Sequence, residues 1–292
     1  MLTVRAYAKV NLTLEVLGRR EDGYHQIASV MQAINLSDEL RLTHSDHLTL
    51  RCNLPSLETP DNLAFKAAAL LKDHTGYSGG VEIYLNKAIP LASGLGGGSS
   101  DAAATLKALC NLWRLDIKQE EMLSLAASIG SDVSFFIRGG TAIAKGRGEI
   151  VHEFPQMPTV HLVLLAPPLE IPDKTTTMYS RLTQEHYTGG EASLRLRRCL
   201  QGGKLPSGTF LVNAFEAVAF DLFPTLDSYR QAMLDAGAPW VRLTGSGPAL
   251  YTFVSSSRKA IAMSEKLRNA GYEAHIAQTL ETSDGLLLLA TE

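Results

Sequence analysis

Residues 90–103 read Pro-Leu-Ala-Ser-Gly-Leu-Gly-Gly-Gly-Ser-Ser-Asp-Ala-Ala, a glycine knot that runs straight into an alanine-rich helix. Glycine tolerates positive φ and carries no Cβ, so at Gly94, Gly96, Gly97 and Gly98 successive N–H groups can turn inward toward an anion. Ser99, Ser100 and Asp101 are then expected to cap a helix whose unpaired amides and positive dipole end face the same point. A tight strand-to-helix turn is the plainer alternative. Four glycines and two serines between positions 94 and 100 exceed what a turn needs, which favours a phosphate cradle over Pro90, Gly94, Leu95, Gly96, Gly97, Gly98, Ser99 and Ser100.

Two common nucleotide loops do not fit. No Lys-Ser or Lys-Thr pair follows the last glycine, as a P-loop requires. Gly94 and Gly96 match the first two places of a dinucleotide fingerprint, but Ser99 stands where its third glycine belongs.

The chain has 292 residues, enough for one large or two ordinary domains. Hydrophobic residues make up 45% and charged residues 20%, an ordinary globular balance. A net charge of −3 gives no polyanion footprint, so nucleic acid is not an expected partner. Cys52, Cys110 and Cys199 lie far apart with no C-x-x-C pair, which argues against a disulfide framework or zinc site and suits a reducing cytoplasm. No segment approaches the ~18 apolar residues of a membrane span. A cytoplasmic protein with no membrane partner is the expectation.

Alternating strands are predicted over 2–17, 26–35, 39–43 and 48–52, with Asp22-Gly23 as the first turn. Asp61 should cap a helix over 62–75; strand 81–86 feeds the glycine knot, whose helix reaches about Trp113, and another helix covers 119–129. After a link at Phe154-Pro155-Gln156-Met157-Pro158, the taken domain boundary, come strand 160–166, helices near 175–182, 191–200, 213–222 and 225–236, strands 240–244 and 249–255, helix 259–270, and strands near 273–278 and 286–290. That tail reads as a compact α+β unit.

Three further groups carry possible chemistry. Lys9 and Asn11 share the face of the first strand opposite Ala8 and Val10; the alternative is a lysine on the solvent face of an edge strand. Asp132 precedes the apolar run Val133-Ser134-Phe135-Phe136, where a helix cap is the alternative. Gly245-Ser246-Gly247, between two strands, reads as a hairpin turn or a second backbone approach to phosphate.

Taken together, Ala8-Lys9-Val10-Asn11, Pro90 to Ala103 and Thr244-Gly245-Ser246-Gly247-Pro248-Ala249 resemble, in that order and nearly end to end, the three hallmarks of the superfamily named for galactokinase, homoserine kinase, mevalonate kinase and phosphomevalonate kinase. The resemblance implies an α+β chain in two domains: residues 1–156, ATP-binding and like domain 2 of a ribosomal small-subunit protein, and residues 157–292, ferredoxin-like, with ATP and acceptor in the cleft between. Arg19-Arg20-Glu21-Asp22-Gly23-Tyr24-His25, otherwise a plain hairpin turn, resembles the cytidine-recognition segment of one branch, whose acceptor is a cytidine diphosphate conjugate of methylerythritol in the non-mevalonate isoprenoid route. Tyr24 offers a π face and His25 a donor and an acceptor. Thr175 and Tyr179 resemble the Thr-x-x-x-aromatic segment that closes over the cytosine, with Lys174 where serine often stands.

By the same resemblance, Asn62, Leu63 and Lys87 border the adenosine. Asp132 accepts the proton of the acceptor hydroxyl, Lys9 holds Asp132 ionised and stabilises developing charge, and Asn11 helps position the acceptor. Magnesium is expected to travel with ATP, with Ser100 as a candidate ligand. The partners are two small molecules, for a monomer or a homodimer. A sister kinase for homoserine or mevalonate, and a non-catalytic ligand sensor on the same fold, are the rival readings.

Overall fold

A computed structural model describes residues 1–169, 173–281 and 288–289. The chain opens with two long antiparallel strands, β1 (Leu2–Arg19) and β2 (His25–Ser45), joined at the predicted Asp22-Gly23 turn. β2 is continuous where the sequence reading had two strands. The interruption at 36–38 is a bulge: Tyr7 faces Ser37 but Ala8 faces Ile34, so extra residues on β2 loop out without ending the ladder.

There follow β3 (Leu48–Cys52), α1 (Leu63–Thr75), β4 (Gly80–Asn86), α2 (Gly97–Leu112), α3 (Gln119–Ile129), α4 (Val133–Arg138), β5 (Thr141–Gly146) and β6 (Ile150–Glu153). The β5–β6 hairpin escaped the sequence reading, since Thr-Ala-Ile-Ala-Lys-Gly is poor in β-branched residues. The remaining elements are β7 (His161–Leu165), α5 (Lys174–Ser180), α6 (Glu191–Gln201), β8 (Val212–Asn213), α7 (Glu216–Leu222), α8 (Thr225–Asp235), β9 (Arg242–Leu243), β10 (Leu250–Val254), α9 (Ser257–Asn269), β11 (Ala274–Gln278) and β12 (Leu288–Leu289).

The first sheet runs β12-β1-β2-β4-β3, with β5 also on β2, β6 on β5, and β8 parallel to β1. The second is the antiparallel set β11-β7-β10-β9. Of the strand expected near 286–290, residues 286, 287 and 290 lie outside the described residues. The described pair, Leu288 and Leu289, joins β1 in the first sheet instead of the tail.

The bulge opposite Tyr7 decides where the functional side chains point. Before it, Leu2, Val4 and Ala6 pack with Ala64, Ala67, Ala102 and Leu106 of the helical layer. After it the alternation changes faces: Ala8, Val10 and Leu12 pack with Leu162, Leu164, Tyr251 and Phe253 of the second sheet. Lys9 and Asn11 are left facing the helical side, opposite Ala33 and Met31. The Phe154–Pro158 link is itself packed: Met157 is fully buried and the Gln156 amide bonds both backbone groups of Thr141.

Candidate active site

Lys9 is the meeting point of the three glycine and lysine segments. Its side chain is only 3% exposed, and Nζ donates to Asn11 Oδ1 at 2.6 Å and lies 3.4 Å from Asp132 Oδ2. A Cβ placed on Gly245 would sit 3.3 Å from the same Nζ, and one on Gly96 would sit 3.2 Å from Lys9 Cε. The edge-strand alternative for Lys9 is therefore wrong, because β1 is flanked on both sides and the buried lysine lines a cavity instead of the outer surface.

Asn11 holds the lysine in place. Its Oδ1 also accepts from Thr244 Oγ1 at 3.2 Å, its Nδ2 donates to Ser29 Oγ at 2.8 Å, and its own N–H donates to Thr244 Oγ1 at 3.0 Å. One amide hydrogen is left for a ligand.

The glycine knot forms an anion cradle whose helix starts earlier than expected. α2 begins at Gly97, with Gly96 at φ 77° as the residue before it, so the serines lie inside the first turn and do not cap it. Positive φ occurs at Gly94 and Gly96 but not at Gly97 or Gly98. The orphan N–H groups are those of the first helical turn, which open with the dipole toward the cleft. At Gly97 the constraint is space: a Cβ would meet Ile89 Cγ2 and Lys87 Nζ at 3.1 Å. The Leu95 side chain is buried and its carbonyl accepts from Lys9 N–H at 2.9 Å, clamping the loop to β1.

Asp132 stands immediately before α4, yet its side chain makes no capping hydrogen bond. It turns toward Lys9 with 37% of its side chain exposed. Among the residues lining this cavity of about 530 Å³, it is the one carboxylate. A reactive hydroxyl beside it would thus have an acceptor for its proton and an ammonium group within the same few ångströms.

A second cavity of about 530 Å³ shares Ser131, Arg147, Thr175 and Tyr179 with the first, so the two form one trough. His25 stacks on Tyr179 with centroids 4.9 Å apart and 17° between planes, and Tyr187 meets the imidazole edge-on at 6.0 Å. Tyr24 is exposed, with the Arg147 guanidinium 4.7 Å above its ring. Burial, with nearby Arg19, pushes the His25 imidazole below its ordinary value. Burial, together with the Asp132 charge, pushes the Tyr179 phenol up to about 12.

Three expected site residues do other work. Asn62, not Asp61, caps α1: its Oδ1 accepts from Ala64 N–H and its Nδ2 donates to the Leu57 carbonyl, and it does not line the cleft, whereas Leu63 does. Lys87 reaches the cleft wall, but its ammonium is held by the buried side chains of Asp38 and Asp101. Ser100 donates to the Tyr7 carbonyl at 2.6 Å and is buried, so its hydroxyl is already engaged, while Ser99 lines the cavity. Among the described residues no group of three His, Cys, Asp or Glu side chains could hold a metal by itself. The donor set fits magnesium only as an ion borne largely by the nucleotide.

Sequence reasoning missed Lys174, Arg147, Tyr187 and Phe215, all of which line the trough. Lys174 Nζ donates to the carbonyls of Ala92 and Gly247. Burial and the neighbouring Lys9 push this amine down to about 8.

Comparison with known proteins accords with this geometry. The description "GHMP kinases N terminal domain" matches residues 62–140, and "GHMP kinases C terminal" matches 203–273. A 4-diphosphocytidyl-2-C-methyl-D-erythritol kinase of Dehalococcoides mccartyi is 42% identical over 285 residues, covering 97% of this chain and all of the relative. The chain belongs to the 4-diphosphocytidyl-2-C-methyl-D-erythritol kinase family of the GHMP kinases. A crystal structure of a 4-(cytidine 5'-diphospho)-2C-methyl-D-erythritol kinase superposes with a TM-score of 0.81 at 35% identity, covering 95% of this chain and 98% of that one. The homoserine kinase of Cytophaga hutchinsonii, at 18% identity and a TM-score of 0.69 over 97% and 96% of the two chains, shares the fold. This chain is an ATP-dependent small-molecule kinase with the two-domain GHMP fold, and among its described residues no helix is long and apolar enough to cross a membrane.

Proposed function

We propose that this kinase transfers the γ-phosphoryl group of ATP to the 2-hydroxyl of 4-diphosphocytidyl-2-C-methyl-D-erythritol, a step in making isoprenoid precursors without mevalonate. The observation that carries the choice of acceptor is the aromatic group His25, Tyr179 and Tyr187 at one end of the trough that has the Lys9–Asp132 pair at the other. A base at the first end and a hydroxyl at the second call for a long acceptor, which homoserine and mevalonate are not.

The phosphates of ATP settle on the amides of the Gly96–Ser99 turn, with Leu63 and the backbone near Lys87 toward the adenosine. Asp132 takes the proton of the 2-hydroxyl as that oxygen attacks phosphorus and the bond to the ADP oxygen breaks. Lys9, oriented by Asn11, faces the charge that gathers on the attacking oxygen and the transferring group. A tertiary alcohol is hindered, so alignment by the base-binding end contributes as much as proton removal. Gly245, Ser246 and Gly247 close the cradle from the opposite side. Ser99, which lines the cradle, would be a protein hydroxyl available to a magnesium ion that arrives with ATP, and such an ion would supply neutralisation of the phosphate charge.

We place the domain boundary at 156/157, within the packed link, while β8 and β12 return to the first sheet. The free thiols Cys52, Cys110 and Cys199 suit a reducing cytoplasm. The test is steady-state kinase assay with ATP and the cytidyl acceptor beside homoserine and mevalonate. Turnover of the cytidyl compound alone is expected; preference for either of the others would overturn this reading.

A further inference from the structure

Lys174 is the one lysine of the cleft that faces no carboxylate among the described residues. Lys9 has Asp132, and Lys87 has Asp38 and Asp101, but the hydrogen-bond partners of the Lys174 ammonium are two neutral carbonyls. Those carbonyls belong to Ala92, in the phosphate loop, and Gly247, in the C-terminal glycine turn. The amine thus spans the gap between the two loops that line the anion cradle.

The charge balance there is lopsided. Lys9, Lys174 and Arg147 line the cavity against the single carboxylate of Asp132, and Arg147 is only loosely matched by Glu149 at 3.9 Å. An ammonium bound by neutral carbonyls forms weaker bonds than one bound by an anion, because only one partner is charged. Its four-carbon stem lets three donors swing without moving the helix that carries them.

We propose that Lys174 is a phosphate-binding residue of this kinase, whose ammonium leaves the Ala92 and Gly247 carbonyls to take oxygens of a diphosphate when one enters the cleft. It rests on the proposed reaction, which brings two such groups to the trough: the terminal phosphates of ATP and the diphosphate of the cytidyl acceptor. The exchange leaves two carbonyls free to take water, and it places a positive charge on α5, the same helix that presents Thr175 and Tyr179 to the acceptor.

Binding of ADP and of CDP, each measured by calorimetry on the whole enzyme, separates the two sources. Lys174→Met should weaken one of them by roughly ten- to a hundredfold, the range of a charge-assisted hydrogen bond. Loss confined to ADP assigns the nucleotide; loss confined to CDP assigns the acceptor. Lys174→Arg should recover most of the affinity, which a group needed only for its fit against the two carbonyls would not do. If Lys174→Met lowers the melting temperature while both affinities stay within about twofold, the amine is only a structural tie and the proposal is wrong. ADP and CDP binding can be read whether or not the cytidyl acceptor is turned over, so failure of the proposed reaction would show separately as absent turnover by the unaltered enzyme.

Discussion

Gly94 and Thr244 touch through their backbones: a Cβ on Gly94 would lie 2.3 Å from the Thr244 carbonyl oxygen. The phosphate loop and the C-terminal glycine turn are therefore in direct contact across 150 residues of sequence, with no side chain between them. Gly94 also sits at φ 87°, where a side chain is strained even in open space. Gly94→Ala should cost roughly 1–3 kcal/mol of stability and raise the ATP KM by about tenfold or more, because the loops must part. Gly98→Ala, whose Cβ meets only Leu63 at 3.5 Å, should melt at or above the unaltered temperature. Equal melting temperatures for the two variants would contradict this account of the contact.

Asp132 makes no capping bond, so its exchange for asparagine removes chemistry without removing structure. Asp132→Asn should keep its melting temperature within a degree or two and lose roughly 10²–10⁴-fold in kcat. Lys9→Met should fall in the same range, and the double variant should be far less than multiplicatively worse. Near-normal turnover by Asp132→Asn would remove it from the proton-accepting role.

The His25 imidazole is stacked on Tyr179, so a base that is to lie over the Tyr179 ring must first displace it. Tyr179→Ala should weaken cytidyl acceptor binding by roughly 1–3 kcal/mol while leaving the KM for ATP nearly unchanged. Parallel weakening of both substrates would mark Tyr179 as a packing residue against Phe215, its edge-on neighbour at 4.9 Å.

The Asp38–Lys87–Asp101 cluster sets a pH dependence of folding. Burial and the nearby Asp38 charge push the Asp101 carboxyl up to about 8, and its Oδ1 has no hydrogen-bond partner among the described residues. The folded chain keeps that proton where the unfolded chain, with an ordinary value of 3.8, releases it. The native state then binds the extra proton, so this group's contribution to stability falls as pH rises from about 4 to about 8. Lys87 is shifted upward because Asp101 and Asp38 outweigh the opposing effect of burial, and it loses its contribution only above its ordinary value of 10.5, outside that window. Melting curves between pH 5 and 8 should show a decline that Asp101→Asn flattens; parallel curves would place the proton elsewhere.

Much of this was readable in the chain. Lys9, Asp132 and the glycine knot stand out locally, as a cation in an apolar strand, an acid before an apolar run and glycines too dense for a turn, but the pattern left a solvent-facing lysine and a helix cap open for the first two. What escaped depends on distance. Whether Asn62, Lys87 and Ser100 face a ligand is decided by Leu57, Asp38 and Tyr7, partners that no local pattern supplies. Lys174 could have been found by its departure from serine, but only the fold shows that its reach ends on two glycine-loop carbonyls. The bulge that swaps the faces of β1 is likewise set by its partner strand, so alternation alone misassigns one side of it.

The surroundings of β1 are completed late in synthesis. Its hydrogen bond from Asn11 to Thr244 joins residues 233 apart, and its flank is completed by β8 and β12. At translation speeds of about 5–20 residues per second, the site of Lys9 stays open for roughly 10–50 s after that lysine has been made. Through that interval the newborn chain shows two long apolar strands with an unpaired outer edge, the kind of surface that recruits a second strand from another molecule. Crowded ribosomes making this kinase thus present a transient aggregation hazard that the finished enzyme does not have.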